Sequence, residues 1–170
     1  EGESTTASGI ASHAEGLLTN AIGRISHTEG LETTASGEIS HAEGEQSTAS
    51  GKTSHAEGYC TTASGFSSHA EGELSFASGR TSHAEGFGTR ASGWFSHAEG
   101  FNTLANGTFS HASGFGTSTG GYDGAFIMGS NGTASASNSF FIANGSSAFD
   151  PAGCTISLLN NGHGCFDGTV

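Results

Sequence analysis

Small and polar residues alternate along this chain on a beat of fourteen residues, in a unit that reads T-x-A-S-G-x-x-S-H-A-E-G-x-x. His13, His27, His41, His55, His69, His83, His97 and His111 keep the spacing without a slip. Glu15, Glu29, Glu43, Glu57, Glu71, Glu85 and Glu99 follow the first seven of them by two residues. Alanine holds a column from Ala7 to Ala105, and glycine holds two, Gly9 to Gly107 and Gly16 to Gly114. Two glycines and several hydroxyl residues per unit disfavour helix. The pattern predicts two short strands per unit joined by tight turns, with glycine in the turn conformations. Alternation puts Thr5, Ala7 and Gly9 on one face of the first strand, and Ser12, Ala14 and Gly16 on one face of the second. His13 and Glu15 take the other face. The small set points inward, because no other wall could close so short a coil. Coils stacked about 4.8 Å apart pair backbone with backbone, so eight repeats span roughly 38 Å.

Such a roll is thin. Methyl-sized groups contribute about 1 kcal/mol or less each when buried, against about 1–2 kcal/mol of backbone entropy per ordered residue. The expectation is therefore a roll that oligomerises through its His/Glu face. Glycine is enriched and large aliphatics are scarce, a composition that suggests disorder when it lacks a period. Here the period decides for packed repeats.

The net charge of −12, with Arg24, Lys52, Arg80 and Arg90 as the only basic residues, argues against nucleic acid and against an anionic membrane surface. No apolar run approaches the roughly 20 residues that span a bilayer. Cys60, Cys154 and Cys165 are odd in number and lack metal-ligand spacing, so they read as incidental thiols, with room for a Cys154–Cys165 contact between adjacent coils. Glu1-Gly2 sits one period before Glu15-Gly16 without an initiator methionine, which predicts further repeats upstream.

Residues 1–118 form the regular part. Over 119–170 the period decays into degenerate coils and a C-terminal cap or connector to a further domain. There Ala125-Phe126-Ile127-Met128-Gly129 and Ser139-Phe140-Phe141-Ile142-Ala143 match the S-H-A-E-G strand with apolar residues in the His and Glu columns. Asn131-Gly132, Asn144-Gly145 and Asn161-Gly162 mark turns.

Repeats of S-H-A-E-G alternating with A-S-G resemble the head repeats of YadA-type trimeric adhesins, and match still better the S-H-A-E-G-repeat proteins of Gram-positive bacteria and their phages. The segment from Leu158 to Val170 resembles one that precedes a self-cleaving chaperone domain in phage tail appendages. The resemblance implies a left-handed parallel β-roll, three of which associate side by side as a homotrimer. It also implies a place outside the cell, on a virion or bacterial surface. Adhesin heads usually carry Val and Ile where this chain carries His and Glu, so the resemblance does not carry over a purely hydrophobic trimer interface.

Three readings compete for the ladder from His13–Glu15 to His97–Glu99 and His111. It is a solvated stripe, an interchain hydrogen-bond and ion-pair lattice at a trimer interface, or a column of metal sites. The lattice reading is preferred, with no metal and no cofactor. It predicts stability greatest at mildly acidic pH and lost on both sides. An enzyme needs one asymmetric preorganised site, and identical copies along a rod are not that. The Thr/Ser column (Thr5, Thr19, Thr33, Ser47, Thr61, Ser75, Thr89, Thr103, Thr117) faces inward, which argues against ice binding, and no calcium-binding G-G-x-G-x-D occurs. Tyr59, Phe66, Phe87, Trp94, Phe95, Phe101, Phe109 and Phe115 occupy the variable pairs, either padding trimer edges or forming a receptor-binding patch. The function expected is attachment to a cell-surface glycan or protein, in a phage tail or appendage protein. The alternatives are a bacterial trimeric adhesin head and a purely structural extracellular filament subunit.

Overall fold

The computed structural model describes residues 2–145 and the strands Cys154–Leu158 and Gly164–Phe166. The described chain is all-β, a parallel β-solenoid of about 10 coils. Two sheets face each other across the coil. One has twelve strands and carries the histidines, among them His55–Ala56, His69–Glu73, His83–Phe87 and His97–Phe101. The other has eight strands and carries the T-x-A segments, such as Thr62–Ala63 and Phe76–Ala77. Every pairing in the regular part joins residues fourteen apart, as in His55↔His69 and Thr62↔Phe76.

The interior is as small as the pattern requires. Ala21, Ala35, Ala49 and Ala63 from one sheet and Ala42, Ala56, Ala70 and Ala84 from the other are fully buried. The Thr/Ser column from Thr19 to Thr117 is buried with them. The serines before the histidines are buried too from Ser26 to Ser110, and a buried hydroxyl needs a partner. Each donates back to the turn glycine three residues earlier, Ser54 Oγ to Gly51 O at 2.7 Å and Ser68 Oγ to Gly65 O at 2.8 Å.

The glycines act differently from the expectation. The left-handed turn positions belong mostly to other residues, among them Ile25 and Ile39 at φ 58°, Phe95 at 57° and Leu18 at 59°. Bulky side chains rarely adopt this region, so most turns carry local backbone strain, relieved where Gly88 and Gly116 take the position. Glycine is required by close approach instead. A Cβ on Gly65 would lie 2.0 Å from the carbonyl oxygen of Gly79 in the next coil. Gly16, Gly30, Gly44 and Gly58 do not join Ser12 and Ala14 inside. They are exposed, with φ between 93° and 108°, and this positive φ breaks the alternation of the strand.

Between His111 and Phe126 the register lengthens to fifteen. The extra residue is absorbed within the Gly120–Tyr122 turn, where Gly120 and Gly121 both have positive φ. The spacing then returns to fourteen at Phe126↔Phe140. In these last coils Ile127 and Phe141 replace alanine inside, both buried. Cys154–Leu158 then pairs antiparallel with Phe140–Asn144, and Gly164–Phe166 pairs antiparallel with Cys154–Leu158. This reversal extends the twelve-stranded sheet past the last coil and ends it on the three-residue strand Gly164–Phe166, a short edge that offers little pairing to another chain. Cys154 and Cys165 therefore lie on antiparallel strands rather than adjacent coils, and the register sets Cys165 across from Ser157. The Asn161-Gly162 turn and Val170 lie outside the described residues.

Candidate functional site

Because the register never slips from His13 to His111, eight imidazoles fall into one file on the outer face of the larger sheet. From His13 to His97 their ring centroids are 4.7–4.9 Å apart and their planes lie within 13° of parallel. His111 breaks the file, turned 61° to His97 and packed on Phe126 at 4.4 Å. The glutamates run beside this file. Each of the later histidines donates from Nε2 to the carboxylate of the preceding coil. The bonds are His55–Glu43 and His69–Glu57 at 3.0 Å, His83–Glu71 at 3.2 Å, His97–Glu85 at 3.1 Å and His111–Glu99 at 3.3 Å. These acceptors belong to the same chain, whereas the lattice reading of the sequence sought them in a neighbouring one. A twelve-residue separation across a fourteen-residue register brings Glu43 beside His55 without any partner subunit.

The earlier coils differ. Among the described residues, His27 Nε2 and His41 Nε2 are shielded from solvent yet carry no hydrogen bond. Beside them runs an open groove floored by Gly16, Gly30 and Gly44 and walled by Glu15, Glu29 and Glu43.

Burial holds the His41 imidazole below the ordinary histidine value, and repulsion from His55 and His27 outweighs the pull of Glu43 and Glu29. His111 is lowered likewise, by burial first and then by His97, against Glu99 and Glu85. The sign follows directly. The folded state takes up these protons less readily than the unfolded chain, so their stabilisation is complete above the unfolded pKa and lost as pH falls through it toward the folded one. At these two positions the direction is opposite to the loss at high pH expected from the sequence, because burial and neighbouring histidines outweigh the pull of the nearby carboxylates. The melting temperature is expected to stay level from about pH 9 to about pH 7 and to fall below about pH 6.5. Thermal melts followed by circular dichroism across that range check it, and a rise on acidification from neutrality would refute it.

The four basic side chains are all engaged. Glu38 lies between Lys52, at 2.8 Å, and Arg24, which together hold its carboxyl down to about 2. Arg80 sits over the Phe66 ring at 5.2 Å and Arg90 over Phe76 at 5.1 Å.

The comparisons with known proteins match this chain to no protein family and to no curated protein. Its site must be read from its own geometry.

The aromatics do not form one patch. Tyr59, Phe87, Phe101 and Phe115 follow the glycine of S-H-A-E-G, and Phe87, Phe101 and Phe115 stack face to face at 4.9 and 5.1 Å. Phe66, Trp94, Phe95 and Phe109 follow A-S-G at the other turn, where Phe95 and Phe109 stack at 5.0 Å. The two groups lie seven residues apart in the repeat, which is half a coil. Trp94 and Phe109 are the most exposed, at 58% and 67%. Sequence reading overlooked that exposed aliphatics continue both edges toward the other end of the stack, Leu17 and Leu18 on one and Ile10, Ile25 and Ile39 on the other. Writing the variable pairs in register would have shown it.

Proposed function

We propose that this chain is a rigid, non-catalytic attachment segment, a left-handed β-roll that works as a homotrimer exposed on a virion or bacterial surface. Its leading role is in a phage tail or appendage protein that binds a cell-surface glycan or protein. One observation carries this reading. Each turn edge carries exposed apolar clusters toward both ends of the stack, separated by Glu45 and Gln46 on one edge and by Lys52, Thr53, Arg80 and Thr81 on the other, along coils held in strict register. Exposed apolar clusters of this kind mark contact with a partner. One edge closes against sister chains beside the His/Glu face, and the other, bearing Trp94 and Phe109, is left for the receptor. The Phe126 and Phe140 that continue the histidine column, and the Met128 and Ile142 that continue the glutamate column, support a partner on that face.

Light scattering of the isolated chain is expected to give three times 16.9 kDa. Binding to bacterial cells or cell-wall glycans is expected to be lost in the double variant Trp94→Ala/Phe109→Ala with the mass unchanged. A monomer would sink the trimeric head. A trimer whose binding ignores both substitutions would leave a structural filament subunit.

A further inference from the structure

The His/Glu ladder has a second property that neither attachment nor trimerisation uses. Among the described residues, five groups of three donors bring their ligand atoms within 4.8 Å of one another. They are Glu15–His27–Glu29, His41–Glu43–His55, His55–Glu57–His69, His69–Glu71–His83 and His83–Glu85–His97. We propose that these groups bind divalent transition-metal ions, one ion held by the three donors that two successive coils bring together.

The geometry supplies the bite. Ligand bonds of about 2.0–2.2 Å from imidazole nitrogen and carboxylate oxygen set donor–donor distances of about 3.3–3.6 Å in tetrahedral sites. The Nε2–Oε1 separations in the later triads are 3.0 to 3.2 Å, so the pair has to open by only a few tenths of an ångström to admit an ion. Both side chains are about one-third exposed in the single chain, which leaves further coordination positions for water or for a donor of a sister chain on that face. The ion takes the Nε2 lone pair, and the proton that Nε2 had donated to the carboxylate moves through solvent to Nδ1. In the first triad no such bond has to be broken, because His27 Nε2 carries none and the carboxylates of Glu15 and Glu29 flank it. Mixed nitrogen and oxygen donors select zinc, nickel, cobalt and copper over magnesium and calcium, which prefer oxygen alone. The net charge of −12 adds long-range attraction.

The register also sets a ceiling. The four later triads form a series in which each shares a histidine with the next, so only alternate ones can fill, and with Glu15–His27–Glu29 these five groups hold at most three ions. Neighbouring dications in adjacent coils would also repel each other strongly.

The test uses untagged chain carrying Cys60→Ser, Cys154→Ser and Cys165→Ser, which removes every thiol of the sequence. Cobalt(II) is titrated in and followed by its visible d–d absorption and by equilibrium dialysis. Saturation at three ions per chain is expected, with zinc displacing the cobalt. In the same background, Glu43→Gln/Glu57→Gln/Glu71→Gln/Glu85→Gln keeps a hydrogen-bond acceptor for each imidazole but removes the anionic ligand. It is expected to melt like its parent without metal, to bind one ion, and to lose at least about ten-fold in affinity at the other sites. No d–d band at millimolar cobalt, or unchanged stoichiometry in the quadruple variant, overturns the proposal. Both readouts are independent of the oligomer mass and of receptor binding.

Discussion

Gly65→Ala is expected to destabilise the chain by at least about 3 kcal/mol, far more than its size suggests. The added methyl would sit 2.0 Å from Gly79 O and 2.7 Å from Gly79 C, where ordinary contact begins at 3.4 Å. Both atoms are backbone, so no side chain can swing away. Nor can the coils part locally. Ser64 N–H donates to Ala77 O at 2.9 Å, Gly65 N–H donates to the same oxygen at 3.2 Å, and Ser68 Oγ holds Gly65 O. Moving by more than an ångström breaks all of these bonds, each of which leaves buried polar groups unpaired. Solenoid stability is a sum over neighbours, so the damage should divide the stack and give two unfolding transitions in place of one. Urea denaturation followed by circular dichroism measures it, with the exposed Ser64→Ala as a control expected within about 0.5 kcal/mol of wild type. A Gly65→Ala curve that overlays the control would show that the coils are not locked at this spacing.

Phe141→Ala is expected to cost about 3–5 kcal/mol, and to cost it at one end only. Phe141 is 1% exposed and continues the interior column in which most coils have alanine, directly above Ile127. The last coils have exchanged the thin methyl interior for a wider apolar one, and truncating the ring leaves a cavity that stacked backbones cannot close. Hydrogen exchange should quicken through Phe126–Ser130 and Phe140–Asn144 while Thr62–Ala63 and His69–Glu73 keep their protection. Uniform loss of protection along the chain would mean that the coils unfold as one unit, contrary to the nearest-neighbour picture. Protection unchanged in the last coils would mean that Phe141 does not support them.

The sites are legible in the sequence to different degrees. The His and Glu columns, their outward face and the inward Thr/Ser column follow from spacing and alternation. The identity of each carboxylate partner does not. Pairing His55 with Glu43 rather than Glu57 depends on how the side chains lean across the stack. The bare Nε2 of His41 is equally invisible in the sequence, since its S-H-A-E-G unit carries the same letters as those that form the bond, whereas the unit of His27, also bare, differs by Thr28 in place of alanine. The aromatic residues read as one cluster along the chain because they are near in sequence, and the coil sends them to opposite turns.

A period of fourteen residues, two glycine columns and a column of alanine suffice by themselves to specify stacked parallel coils with a small interior, because only one placement of the small residues closes the roll. Tertiary structure decided the rest. It gave the left-handed turn positions to Ile, Leu, Thr and Phe, since the glycines are needed where one coil's carbonyl reaches the next. It also set the balance between burial and charge that lowers His41 and His111, because that balance depends on what surrounds each imidazole in three dimensions.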